Sequence, residues 1–357
     1  MTIARRAWLL GVCGLPGWRP GAAAPGTALV FPRDHGAHLE TRVEWWYATG
    51  WLGSEAAPSH GLQLTFFRSR TGLAEDSRSR FAARQLLFAD AAVTDLAGRR
   101  HLHAQRLARW SGDPAAGAAH AALDDTDLRL ADWSLRRRDG RYEARLPADG
   151  FTLDLVLTPT QPLLLQGDDG RSRKGPREAQ FSRYYSEPQL ALQGRIVVAG
   201  REVAASGRAW LDREWSDAYL AADAVGWDWI GMNLFDGSAL MAFRIRRAEG
   251  STLWAGGSWR SPAAAARYFA PDEVRFDAGR RWLSPASQAR YPVQWQLQTP
   301  AGGFEVMALF DAQELDGRAG TGAIYWEGLA ELRDGNGRRV GLGYLEMTGY
   351  AGRLRMS

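Results

Sequence analysis

Thr41-Arg42-Val43-Glu44-Trp45-Trp46-Tyr47-Ala48-Thr49-Gly50-Trp51-Leu52 reads as one long strand. Extended backbone sends successive side chains to opposite faces. Val43, Trp45, Tyr47 and Trp51 therefore share one side, with Glu44 and Trp46 on the other. The same alternation marks residues 62–67, 86–93, 151–157, 193–198, 239–245, 293–297 and 304–310 as strands. Asp139-Gly140, Asp149-Gly150, Asp236-Gly237, Asp334-Gly335 and Asn336-Gly337 supply turns between runs of this kind. Short strands at such spacing predict an all-β protein, a sandwich or antiparallel barrels. The sequence predicts one short helix, over 260–270, with Ser261 as N-cap, Pro262 at the first position and four alanines following.

At 357 residues the chain exceeds what one hydrophobic core usually supports, so two domains are expected. Residues 167–176 are polar and rich in breakers, as an interdomain crossing should be, and strand-like alternation restarts at Gln189. The expected division is a leader over 1–26, a first barrel over 27–188 and a second over 189–357. The leader reads as an export signal: Arg5-Arg6, an apolar run over 7–15, then Ala22-Ala23-Ala24 as a cleavage site. That places the mature protein in the periplasm or outside the cell. Cys13 is the sole cysteine and lies within the leader, so the mature chain carries no disulfide. No later stretch reaches the roughly 18 apolar residues of a membrane span, which argues against an integral membrane protein. The basic residues are 43 arginines and a single lysine, Lys174, spread without a basic stripe, and the net charge is only +4. Nucleic-acid binders cluster their charge, so no nucleic-acid partner is expected.

Sixteen tryptophans are the chemical signal, because several flank acids on strands. Tryptophan makes apolar walls with a polar point, and an acid among such walls loses water and gains pKa. In Trp210-Leu211-Asp212-Arg213-Glu214-Trp215, extended backbone turns Trp210, Asp212 and Glu214 to one side. The two acids then lie roughly 6.5–7 Å apart at about 3.3 Å rise per residue. They form either a protonated acid beside a carboxylate or a pair of salt bridges to arginines such as Arg208 and Arg213. In Trp227-Asp228-Trp229 the indoles face one way. Asp228 faces the other, either anchoring a turn or lining a cavity. Glu44, sharing a face with Trp46, is either a partner in the site or a buried ion pair. Tyr184-Tyr185 either orients a ligand or caps an interface. His101-x-His103 has metal-like spacing without a third ligand, so no metal is expected. No nucleophile elbow, zinc-protease helix, P-loop or dinucleotide fingerprint is present, and no cofactor is expected.

Further segments recur together in a known order: Phe31-Pro32-Arg33-Asp34-His35-Gly36, Glu44-Trp45-Trp46-Tyr47, Ser172-Arg173-Lys174-Gly175-Pro176, Tyr184-Tyr185-Ser186, Trp210-Leu211-Asp212, Gly226-Trp227-Asp228-Trp229, Tyr325-Trp326-Glu327-Gly328 and Gly343-Tyr344-Leu345-Glu346. Together they resemble the AttH-like family, which includes carotenoid 1,2-hydratases. The resemblance implies two lipocalin-like antiparallel β-barrel domains packed together, with a site near their contact. It also implies export in many members and ABC transporter components as partners of some. The hydratase members add water across a terminal isoprenoid double bond without a cofactor, using the aspartate of a Tyr-Leu-Asp segment as proton donor. Asp212 keeps that acid here, while Trp210 replaces the phenol. Asp90 stands where relatives often carry histidine.

The expected protein binds a hydrophobic small molecule, isoprenoid or lipid, and catalyses acid-assisted hydration or hydrolysis. Asp212 is the proton donor, with Glu214 or Glu44 as base. Trp46, Tyr185, Trp210, Trp227, Trp229 and Asp228 are the substrate-binding set. The alternative is a non-catalytic periplasmic lipid or isoprenoid carrier serving an ABC transporter.

Overall fold

The computed structural model describes residues 28–354 apart from 74, 80, 114–116, 263 and 321. The expected leader, with Arg5-Arg6 and Cys13, lies outside the described residues. Among those described, the elements are antiparallel strands and two single-turn 3-10 helices, Arg33–His35 and Pro271–Glu273. None is a helix long and apolar enough to cross a membrane.

An interior strand of the first sheet, Val43–Gly53, is the stretch quoted above. It lies between Pro58–Arg70 on one side and Arg201–Ser216 on the other. The thirteen-stranded sheet extends outward through Gln85–Asp95 to Arg100–Trp110, and in the other direction through Phe181–Val198 and Phe151–Thr158 to Ala119–Ala121. Its two ends come back beside each other, giving a nearly closed barrel. Trp46, Phe66, Trp133, Tyr142, Leu153 and Leu211 fill the interior. A second, ten-stranded sheet has Ala224–Leu234, Arg339–Met347 and Ile324–Arg333 near its middle. It curls around Ile230, Met232, Trp295, Trp326 and Leu345. The all-β class expected from the alternation is the class observed.

Strands of an antiparallel sheet commonly alternate apolar and polar residues because one face meets water. Val43–Gly53 does not, because both of its faces are covered. Trp46, Ala48 and Leu52 point into the first barrel. Val43, Trp45, Tyr47 and Trp51 pack against Trp229, Met241, Leu329 and Tyr344 of the second sheet. This third apolar layer joins the sheets and frames the site.

Two expectations need correction. Residues 188 and 189 fall inside the single strand Phe181–Val198, the first sheet runs on to Ser216, and the second begins at Ala224. The restart of alternation at Gln189 is a bulge: pairing with Arg201–Ser216 slips between Glu187 and Leu190, and Gln189 has φ 59°. The polar stretch 167–176 is not the crossing either. It holds a tight turn at Asp168–Arg171 and then the short strand Arg171–Arg173, which like Leu164–Leu165 pairs antiparallel with Phe181–Val198. Gly and Asp mark any sharp reversal, so composition alone does not separate a hairpin from a linker. Nor do the described residues of 260–270 form the expected helix. Thr252–Arg260 is a strand, and Arg267–Phe269 folds back onto it. A helix that short is marginal by itself, whereas the edge strand buries Phe269 in the second core.

Candidate active site

A cavity of about 130 Å³ lies between the sheets. Trp45, Tyr47, Phe67, Tyr184, Asp212 and Glu214 line it from the first sheet, and Trp227, Trp229, Tyr325, Glu327 and Glu346 from the second. Period-two geometry puts them there. On Arg201–Ser216, Trp210, Asp212 and Glu214 face the second sheet, while Leu211 and Arg213 turn into the first barrel.

Asp212 is 3% exposed and has no cationic partner among the described residues. Three neutral donors meet it instead. Trp210 Nε1 and Ser186 Oγ donate to Oδ1 at 2.7 and 2.6 Å, and Tyr184 OH donates to Oδ2 at 2.6 Å. Ser186 is its register partner on the neighbouring strand. Burial raises the carboxyl pKa, the three hydrogen bonds lower it, and the charge of Glu214 raises it again. The balance stands at about 7. Tyr184 OH also accepts Trp229 Nε1 at 3.1 Å, which ties the second sheet to the acid.

Glu214 is held differently. Lys174 Nζ lies 2.9 Å from Oε1, and Ser182 Oγ donates to the same oxygen. Burial still lifts its pKa above the ordinary carboxylate value, with Lys174 opposing. The only lysine of the chain is thus 2% exposed. Its ammonium sits 4.3 Å from the Phe243 ring centre, 4.7 Å from that of Tyr184 and 5.3 Å from that of Tyr219, a cation–π cage.

Two further acids face the cavity. Glu327 and Glu346 are direct register partners on adjacent strands. Burial, then the charge of Glu346, pushes Glu327 well above the carboxylate range. Glu346 is pushed up to about 7 by burial, with a hydrogen bond from Trp227 opposing and the charges of Asp212 and Glu214 adding to the rise. The Trp-flanked-acid signature could have found Glu327 after Trp326. The sequence marks Tyr184 only as one of an undivided pair with Tyr185, and Ser186 and Lys174 carry no comparable signal.

Of the residues singled out from the sequence, the structure brings Asp212, Glu214, Trp227 and Trp229 together at the cavity. Trp210 stands behind Asp212 as a hydrogen-bond donor. Four others turn their functional groups away from the cavity, chiefly because neighbours on a strand point opposite ways. Glu44 borders the cavity, but its carboxylate is sealed, with Arg68 on Oε1 and Arg213 on Oε2. Burial would raise its pKa, yet the two guanidiniums outweigh it and hold the group well below the carboxylate range. Trp46 lies inside the first barrel, donating to His35 O at 2.9 Å beneath the Arg213 guanidinium. Tyr185 bonds His35 Nδ1 at 2.6 Å in that same interior, so Tyr184 occupies the cavity position. Asp228 points into the second barrel, where Arg244 and Arg246 approach to 2.7 and 3.0 Å and Tyr350 OH donates at 2.9 Å. Among the described residues, no three His, Cys, Asp or Glu side chains gather as a metal site.

The family model for AttH-like proteins matches residues 22–350. The chain belongs to the AttH-like family. An AttH-like neighbour, provisionally named AttH, is known from a crystal structure of the Nitrosomonas europaea protein. It is 46% identical, covers 92% of this chain and 98% of its own, and superposes with a TM-score of 0.83. Kievitone hydratase from Nectria haematococca shares the AttH-like fold at 15% identity, with 91% and 94% coverage and a TM-score of 0.66. CghA, solved with Sch210972, shares it at 13% identity, with 88% and 90% coverage and a TM-score of 0.55. No curated protein matches this AttH-like chain.

Proposed function

We propose that the cavity between the sheets binds the end of a hydrophobic isoprenoid or lipid molecule and adds water to it without a cofactor, with Asp212 as proton donor. The observation that carries this reading is the setting of Asp212: sealed from bulk water, met by neutral donors, and beside an open hollow. A carboxyl so placed keeps its proton near neutral pH. It transfers that proton to an alkene carbon, and positive charge develops on the neighbouring carbon. Trp227 and Trp229 line the space where that charge would sit, an attraction of about 0.5–2 kcal/mol. Water then forms the C–O bond, and its spare proton returns to the carboxylate, so the cycle closes. Glu214, beside Asp212, is the candidate to orient that water. Glu44 is too firmly paired for the role.

A cavity near 130 Å³ is comparable to one that holds a benzene ring, about 150 Å³. It takes the reactive terminus of a long molecule rather than the whole, which favours chemistry at a chain end over carriage of an enclosed lipid. The leader pattern and the family's transporter association support a periplasmic or extracellular setting, with an ABC transporter as neighbour. Likeness to kievitone hydratase supports water addition as the reaction class.

The test uses a panel of terminal isoprenoid alkenes in ¹⁸O-labelled water, read by mass spectrometry for the hydrated product. Asp212→Asn should lower turnover by about 10²–10⁴-fold while ligand binding persists. Turnover at the parent rate in that variant would remove Asp212 from the mechanism.

A further inference from the structure

Most buried acids near the two cores have an identifiable partner. Glu44 has Arg68 and Arg213, Asp228 has Arg244 and Arg246, Glu331 has Arg333 and Arg339, and Glu214 has Lys174. Asp212 has its three donors. The Glu327–Glu346 pair breaks the pattern. Its members sit face to face in register, both border the cavity, and among the described residues no cationic side chain makes an ion pair with either.

A second observation comes from the opposing sheet. Glu327 Oε1 and Tyr47 OH are buried polar atoms that make no well-formed hydrogen bond, although the phenol and the carboxyl are close enough to interact. Tyr47 is 6% exposed and Glu327 2%, and both line the cavity. Buried polar groups so poorly satisfied are costly, so they mark a place where something else completes the contacts. By itself the pair keeps protons because burial and mutual repulsion disfavour its charge, and a positive charge or strong donor beside it would favour ionisation and complete its contacts. A metal ion would need more acidic or imidazole ligands than gather here. The walls around the pair are Tyr47, Trp227 and Tyr325, and aromatic faces attract organic cations.

We propose that Glu327 and Glu346, with Tyr47, form a cation-receiving pole of the cavity whose ligand is an organic cation with an apolar body. The charge is either carried by the ligand as an ammonium or created on its carbon by protonation. The pole lies on the second sheet, whereas Asp212 lies on the first. The second source of charge rests on the hydration reading, while the pole itself does not.

The experiment titrates octylamine, 1-octanol and octanoate into the full chain at pH 7, followed by tryptophan emission. The three probes share a chain length and differ in head-group charge. Octylammonium should bind at least ten times more tightly than octanol, and octanoate more weakly than either. The Glu327→Gln/Glu346→Gln double variant should bring octylammonium down to the octanol level with octanol affinity unchanged. Should that variant not fold, Glu346→Gln alone, on the less buried member, should cut the preference at least threefold. Equal binding of amine and alcohol by the parent protein overturns the proposal, and so does a preference that survives these substitutions. Asp212→Asn should leave the preference intact, so failure of the proton-donor reading and failure of this one are separable. Competitive inhibition of alkene hydration by octylamine would assign the pole to the reaction's own cation. Binding without inhibition would assign it to an ammonium-bearing ligand.

Discussion

Asp212 shows what solvent exclusion does to one residue. Its folded-state pKa of about 7 lies above the ordinary 3.8, so the native protein holds that proton more tightly than the unfolded chain does. The resulting stabilisation is fully present below about pH 4 and is lost as pH rises through about 7. Asp212→Asn keeps the shape and removes the charge, so its denaturation midpoint should match the parent's near pH 4 and exceed it at pH 8. An unchanged difference between those two pH values would contradict the raised pKa. Glu346 titrates in the same window, so the variant should flatten the decline rather than abolish it. The same ionisation predicts turnover that falls above about pH 7. Asp212 was legible in the sequence because indole and leucine flank an acid on an alternating strand. Tyr184 was not, because Tyr184 and Tyr185 are chemically identical neighbours and only strand parity decides which one meets the cavity.

At the level of elements, alternation located the strands well, since a sheet with one face toward water leaves a period-two record along the chain. It also assigned the faces of Val43–Gly53 correctly, including the turn of Glu44 away from Trp45. What it missed was pairing partners. Nothing local to Glu44 announces that Arg68 of Pro58–Arg70 and Arg213 of Arg201–Ser216 close on it from both flanking strands. These three side chains act as a clasp across the sheet. Glu44→Gln would leave two guanidiniums buried without their counter-charge, a loss of about 3–5 kcal/mol. Chemical denaturation should show the drop, and a midpoint within experimental error of the parent would mean the clasp is dispensable. The bulge at Gln189 was equally hidden: a slipped register and a new segment leave the same mark on a hydropathy pattern.

On the scale of the whole molecule, the site exists only because two sheets meet. Asp212 and Glu214 come from one, and Glu327 and Glu346 from the other, separated by more than a hundred residues of sequence. That distance is why the second acid pair stayed unread while the first did not. The sheets approach closely at Gly61, where an added Cβ would stand 2.7 Å from Tyr344 OH and 2.9 Å from Leu329 Cβ. Gly61→Val should therefore push them apart, costing about 1–3 kcal/mol and shifting tryptophan emission to the red as the shared layer admits water. Parent-like emission and stability would show that the contact yields without consequence. The caged ammonium of Lys174 adds a practical corollary. A protein whose sole lysine is sealed between its halves is blind to acylating reagents at that side chain while closed. The rate at which Lys174 acquires an acyl group is then a clock for how often the halves part, and ligands that latch them together will slow it.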